Sequence, residues 1–329
     1  MILTTPVQIP ESSSRISYDS RLMLIGSCFT ESMGEFLVAS KFRTDVNPFG
    51  NLYNPMSIAD SVRSLLYPRD FTERDLFLQD GVYHSFAHHS RFSSPDKEVC
   101  LQWINERVRR SSDFIREADY LVLTFGTSFV YRLKSNGRIV ANCHKLPESY
   151  FTRSRLSVRE MAEMWQRLLL TIWEHLPDIK LIFTVSPIRH LRDGAHENQV
   201  SKSALIVLID HLQSLYPERI AYFPAYELMM DELRDYRFYA DDMVHPSAMA
   251  VNYIRERFRD TYMDRETIAV MEEVEQVAKA LQHKPFNPES VNYKRFLMQT
   301  LLKIERLKEK FPYFDFANEV ELLNRKLGI

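Results

Sequence analysis

The stretch Leu22-Met23-Leu24-Ile25-Gly26-Ser27-Cys28-Phe29-Thr30 decides the fold. Four apolar residues in a row, cut off by a glycine, predict a buried strand that ends in a sharp turn. Met33, Phe36, Leu37 and Ser40 then recur at helical spacing. They predict a helix over 30–40, with Thr30 as its N-cap and Glu31 in its first turn. Two nucleophile-type side chains, Ser27 and Cys28, therefore fall where a strand gives way to a helix. Such a terminus presents free N–H groups and favours developing negative charge. A tight turn built from small residues fits the same letters, so this segment alone assigns no function.

Working outward, the pattern strand, loop, helix repeats about five times up to residue 260. Strands are predicted at Leu22–Ile25, Phe42–Val46, Asp119–Phe125, Lys180–Val185 and Arg219–Phe223. Helices are predicted over 55–67 (capped by Asn54, with Pro55 in the first turn), 99–117, 157–175, 200–215, near 225–235 and over 247–260. Ser135-Asn136-Gly137 marks a hairpin between Val130–Leu133 and Arg138–Val140. Residues 1–20 read as an extended polar lead-in, and residues 68–98 as an irregular insertion. Such alternation predicts a parallel sheet with helices on both faces, a three-layer α/β/α fold. Ligands of open sheets of this kind bind outside the carboxyl ends of the strands. Beyond about 262 the chain turns charged and helix-periodic, over 264–282, 290–310 and near 315–327. The expected organisation is thus an α/β domain over 1–261 and a C-terminal helical appendage over 262–329.

Composition narrows the function classes. The chain has 329 residues, 42 Lys and Arg against 44 Asp and Glu, and 45% hydrophobic residues. That is an ordinary globular composition, and without a basic stripe it predicts no nucleic-acid partner. No apolar run is long enough to span a bilayer, so no membrane partner is expected. Met1–Ser14 has neither a basic nor an apolar segment of the secretory kind. Cys28, Cys100 and Cys143 are far apart and in no metal spacing, which fits a reducing compartment; the expected location is cytoplasmic. His84, His88 and His89 cluster without a companion carboxylate or Cys pattern, so they are read as surface histidines and no metal is expected. No cofactor motif follows the first strand: Gly-x-Gly-x-x-Gly and the P-loop are both absent, which sets aside a nucleotide-binding protein.

The polar motifs resemble those of a known superfamily. Strand-Gly-x-nucleophile, then Asn47-Pro48-Phe49-Gly50, Gly126-Thr127-Ser128 and a late Asp242-Met243-Val244-His245-Pro246 resemble the SGNH (GDSL-type) hydrolases in order and spacing. Gly26-Ser27-Cys28-Phe29-Thr30 more closely resembles the motif that names the GSCFA family, a branch of that superfamily. Asn142-Cys143-His144-Lys145, Ser186-Pro187-Ile188-Arg189-His190 and Ser201-Lys202-Ser203 fit the same family. The resemblance covers roughly residues 20–260 and implies a flavodoxin-like sheet. It implies a nucleophile at Cys28, with Ser27 where the superfamily has Asp. It also implies an oxyanion N–H at Gly50, a second donor at Ser128 where the superfamily has Asn, and an Asp242–His245 pair completing a triad. A one-residue shift in the turn makes Ser27 the nucleophile instead. Asn47 and Gly126 belong to the same motifs and fall among the substrate-binding candidates.

The chemistry so implied is acyl transfer. A thiolate is a strong nucleophile, and a nearby His or a helix N-terminus lowers a thiol pKa. Asp242 would hold the tautomer of His245, which would deprotonate Cys28 and protonate the leaving group. Asn142 is a further candidate oxyanion donor. Asp193-Gly194-Ala195-His196 repeats the Asp-x-x-His spacing, but His245 opens the final helix and takes precedence. Arg189, His190, His196 and His144 are read as substrate-pocket residues, suited to an anionic or sugar-hydroxyl group. The expected function is an esterase or acyltransferase acting on a small-molecule or carbohydrate ester. A binding module that keeps the fold without the activity is the alternative. The oligomeric state is not legible.

Overall fold

The computed structural model describes residues 5–12 and 15–329, so part of the predicted lead-in, residues 1–4 and 13–14, lies outside the described residues. The organising strand is β1 (Arg21–Gly26), followed by α1 (Cys28–Ala39), β2 (Arg43–Val46) and α2 (Pro55–Leu66). A hairpin of β3 (Leu76–Gln79) and β4 (Val82–Ser85) leads into α3 (Lys97–Ile115) and β5 (Tyr120–Phe125). A small sheet of β6 (Phe129–Leu133), β7 (Ile139–Val140) and β8 (Phe151–Arg155) precedes α4 (Val158–His175), β9 (Lys180–Val185), α5 (Gly194–Leu215) and β10 (Ile220–Phe223). A single turn, α6 (Ala225–Glu227), leads to α7 (Ala248–Tyr262), α8 (Arg265–Gln282), α9 (Val291–Lys310) and α10 (Ala317–Leu327).

The five main strands form one parallel sheet in the order β10-β9-β5-β1-β2. This is the flavodoxin-like order, with its switch point between β1 and β5. Register sets Gly26 beside Thr124 and Thr124 beside Thr184, so three strands end on one level. Side chains alternate across the sheet. Met23, Ile25, Leu123 and Phe183 face a core completed by α2, α3, α4 and α5, with Trp165 fully buried in it. Leu22, Leu24, Val122 and Ile182 face the other core, completed by α1, α7 and the C-terminal helices. The appendage therefore packs on the sheet's second face. Lys41 ties it down through Glu319, 2.6 Å away, and Tyr18 stacks on Phe42 beside Phe311 and Phe314.

Several boundaries differ from the sequence expectation. Helix α1 starts at Cys28, with Ser27 in the N-cap position, two residues before the expected start. Thr30 is buried instead, against Gly26, where an added Cβ would sit 2.6 Å from its hydroxyl and 2.5 Å from the Thr124 carbonyl. Residues 68–98 contain the β3–β4 hairpin. Its turn is Asp80-Gly81, both at positive φ (50° and 76°), the geometry that hairpin twist favours. Strand β8 adds a third strand to the predicted hairpin. Helix α5 begins six residues early, at Gly194. The helix expected near 225–235 is one α-turn followed by a π-turn over Leu228–Glu232.

Candidate active site

The site begins with one residue of helix phase. Because α1 starts at Cys28, that residue is the first of the helix, and the backbone N–H groups of Cys28 and Phe29 point at its own thiol. Burial is the larger influence and pushes the thiol above its ordinary range. The two N–H groups and Lys202 pull it down, while Glu31 pushes it up. Cys28 is half-buried and lines a cleft of about 660 Å³ at the carboxyl ends of the strands. Ser27 is 1% exposed, its hydroxyl has no hydrogen-bond partner, and it does not line the cleft. Of the two nucleophile-type side chains, only the thiol meets the cavity.

His245 lines the same cleft. Its Nδ1 donates to Asp242 Oδ2 over 2.5 Å, and the backbone N–H groups of Val244 and His245 donate to Asp242 Oδ1 at 2.9 Å. Those three donors hold the Asp242 carboxyl down at about 2, so it is ionised at any working pH. The loop is fixed at both ends: Ala240 N donates to His245 O, Ser247 N donates to Phe238 O, and Ser247 caps α7. With Nδ1 occupied by a carboxylate, Nε2 is the free nitrogen, the arrangement a general base requires. The rival spacing is not assembled. Asp193 is ion-paired with Arg153, and His196 is exposed on α5, away from the cleft.

The candidate oxyanion donors separate. The Gly50 N–H donates to Asn47 O at 2.8 Å within its own turn. At φ 80°, Gly50 abuts His89, which an added Cβ would meet at 2.1 Å. Ser128 is fully buried, with its N–H and hydroxyl both on Ser201 Oγ, at 2.8 and 3.0 Å. In this structure the donors of both are therefore engaged within the protein, unlike the free donors expected from the sequence. Asn142 does line the cleft. Its Oδ1 accepts from the His144 N–H at 2.8 Å, which leaves the amide NH2 as the free end.

The substrate-binding candidates also sort by burial. Arg189 and His190 line the cleft. His190 Nε2 is buried without a partner, beside Gly126, where an added Cβ would lie 3.3 Å from it. Burial, then the charges of Lys202, His245 and Arg153, push His190 down to about 4, so it is neutral near pH 7. Gly126 serves as a close-approach point: its N–H, like that of Thr127, donates to Tyr53 O. Asn47 is a bracket rather than a ligand-binding group. It is 1% exposed, accepts from Gly26 N–H at 2.9 Å, and donates to Asn51, which in turn donates to Glu31. His144 is buried on Ser85 O (2.8 Å) and against His84, off the cleft. His88 is 1% exposed and stacked on Phe49, so it is no surface histidine. Among the described residues, no group of three or more His, Cys, Asp or Glu could hold a metal ion.

One buried residue near Cys28 had no role assigned from sequence. Lys202 is fully buried, donates to Ser186 O at 2.7 Å, and lies over the Tyr226 ring. Burial pushes its ammonium down to about 7, and the Cys28 charge opposes that. No carboxylate pairs with it among the described residues. Its Ser-Lys-Ser setting was visible as a motif, but which of the 42 Lys and Arg is buried is a tertiary fact.

Residues 21–258 match the GSCFA family, and residues 274–328 match the C-terminal domain of GSCFA domain proteins. The chain belongs to the GSCFA family. The first GSCFA match takes in the sheet with the Cys28 turn and the His245 loop; the second takes in most of α8 to α10. No curated protein matches the sequence. Among solved structures, this GSCFA chain is similar to a carbohydrate esterase family 2 enzyme with a carbohydrate-binding domain from Corynascus thermopiles (Myceliophthora fergusii). Identity is 11% and the TM-score 0.40, over 80% of this chain and 69% of that one. An acetyl xylan esterase from the rumen bacterium Butyrivibrio proteoclasticus is similar at 12% identity and TM-score 0.38, over 74% and 64% of the two chains. A carbohydrate esterase family 3 structure from Talaromyces cellulolyticus is similar at 10% identity and TM-score 0.33, over 77% and 99%. No helix among the described residues is long and apolar enough to cross a membrane.

Proposed function

We propose that this GSCFA chain cleaves a carboxylic ester, or transfers its acyl group, through a thioester on Cys28. The observation that carries the reading is the convergence on one cleft of Cys28 at a helix N-terminus and His245 with Asp242 on its Nδ1. His245 Nε2 takes the thiol proton and Sγ attacks the ester carbonyl. The oxyanion is met by N–H groups at the start of α1 and by the Asn142 amide. The His245 proton passes to the leaving alkoxide, and the thioester remains. Water gives a proton to His245 and its hydroxyl to the carbonyl, and the thiolate leaves. An alcohol in place of water makes the same step an acyl transfer.

An O-acylated carbohydrate is the substrate class that fits. Tyr53, Phe129, Tyr131 and Phe151 line the cleft and offer faces for a sugar ring. The competing reading is a non-catalytic binding module, favoured by the commitment of Gly50 and Ser128 to other bonds. Hydrolysis of a panel of activated and sugar acetates by wild type and Cys28→Ala separates the two. Turnover that requires Cys28 supports the enzyme; binding of the same esters without turnover supports the module.

A further inference from the structure

We infer that the cleft selects an ester that also carries a carboxylate, and that the Arg189 guanidinium receives it. The inference rests on the reading of this cleft as the ester site.

Arg189 follows β9 and its side chain lines the cleft. Among the described residues its one hydrogen-bond acceptor is a thioether: Nη2 lies 3.2 Å from Met230 Sδ. Nε is buried with no partner at all. A guanidinium offers five N–H donors in a rigid fork, and sulfur is a weak acceptor, so most of this donor set is unmet.

The other cleft arginines have their charge met by an acid, although Arg153 Nε, like Arg189 Nε, is buried without a partner. Arg153 is ion-paired with Asp193 and Arg192 with Glu148. Glu148 is the one acid lining the cleft among the described residues, and it is already taken. Lys145 also lines the cleft and forms no ion pair there. Two cations, Arg189 and Lys145, are thus left without counter-charge in the cavity that holds Cys28. Paired N–H donors of a guanidinium match the two oxygens of a carboxylate, and charge-assisted bonds of this kind are the strong ones. Among the described residues Arg189 forms no ion pair with an acid; Met230, Tyr226 and Tyr239 stand near it.

The carboxylate could sit on the acyl or on the alcohol half of the ester, and paired substrates tell these apart. The first pair is para-nitrophenyl acetate against the mono-para-nitrophenyl ester of glutaric acid. The second is an acetylated methyl glucoside against the acetylated methyl glucuronide. In wild type, one charged member is expected to exceed its neutral partner in kcat/KM by about ten- to a hundredfold, mostly through KM. Added salt should shrink the ratio. Arg189→Gln should bring the ratio near one, and Arg189→Lys should keep part of it by charge without the fork. Equal kcat/KM within both pairs in wild type overturns the inference while leaving the esterase reading intact. If no ester turns over, protection of Cys28 still tests the anion site. Glutarate should slow alkylation of Cys28 by iodoacetamide in wild type and not in Arg189→Gln, with glycerol as the neutral control. Absence of protection in wild type overturns it.

Discussion

Lys202 and Cys28 favour each other's charged forms across the carboxyl ends of the sheet. Lys202 holds the Ser186 carbonyl just past β9, and Cys28 stands just past β1. The two strands are separated only by β5, about 10 Å at ordinary strand spacing. Burial opposes both charges, raising the thiol and lowering the ammonium, so each depends on the other. Lys202→Met should therefore move the pH midpoint of Cys28 alkylation upward and slow alkylation at neutral pH several-fold. The same change should leave the melting temperature unchanged or raise it, since an apolar side chain replaces a buried charge. Alkylation kinetics against pH, with thermal melts of both proteins, check this; an unmoved midpoint would show the two groups to be uncoupled.

Asp242 acts by orienting His245. Asp242→Asn removes the carboxylate that accepts from Nδ1 and loses the preference for a free Nε2. The expected loss in kcat is about a hundredfold or more, with KM little changed. His245→Ala should lose at least as much. Steady-state kinetics on an activated ester read both, and a kcat for Asp242→Asn within a factor of about two of wild type would remove this pair from the mechanism.

The oxyanion assignment separates Asn142 from Ser128. Asn142→Ala should lower kcat by about a hundredfold, the usual effect of one missing donor. Ser128→Ala breaks a buried bond to Ser201 and should cost about 1 kcal/mol of stability. Its kcat should stay close to wild type. Measuring kcat and a denaturation midpoint for each variant distinguishes the two roles; the opposite pattern would restore Ser128 as the donor.

Acid should destabilise the fold through buried histidines. Burial pushes His88 down to about 3, and His144 and His190 down to about 4. Unfolded, each takes a proton near the ordinary value of 6.5. Between those limits the unfolded chain binds more protons than the fold, so stability falls as pH falls. Above about 6.5 these groups contribute no pH dependence. Melting temperatures should therefore drop from about pH 6.5 towards pH 4, and the drop should be shallower in His88→Phe. A profile flat over that window would count against neutral buried imidazoles.

Much of this was legible in residues 22–29. An apolar run and a glycine specify a buried strand and a turn, and repeated alternation specifies the parallel sheet. Asn54-Pro55 capped its helix as read, with Asn54 Oδ1 on Ser57 N–H. The start of α1 was not legible, because Ser27 and Thr30 are both good N-cap types. Burial of Thr30 against Gly26 and β5 decided between them. That choice sets Cys28 as the first helical residue. Strands β3, β4 and β8 are short and lack alternation, so only pairing reveals them. Gly50 and Ser128 matched a motif by spacing, yet their donors were spent on Asn47 and Ser201, which no spacing records.

The proposed chemistry turns on a thioester on Cys28, which peptide-level mass spectrometry after brief mixing with an activated acetyl ester would detect. One acetyl group is expected on the peptide bearing Cys28, borne by the sulfur and lost with time. The adduct should be absent in Cys28→Ala, retained in Ser27→Ala, and formed far more slowly in His245→Ala. An acetyl group on Ser27, or no adduct on this peptide across a panel of esters, would contradict it.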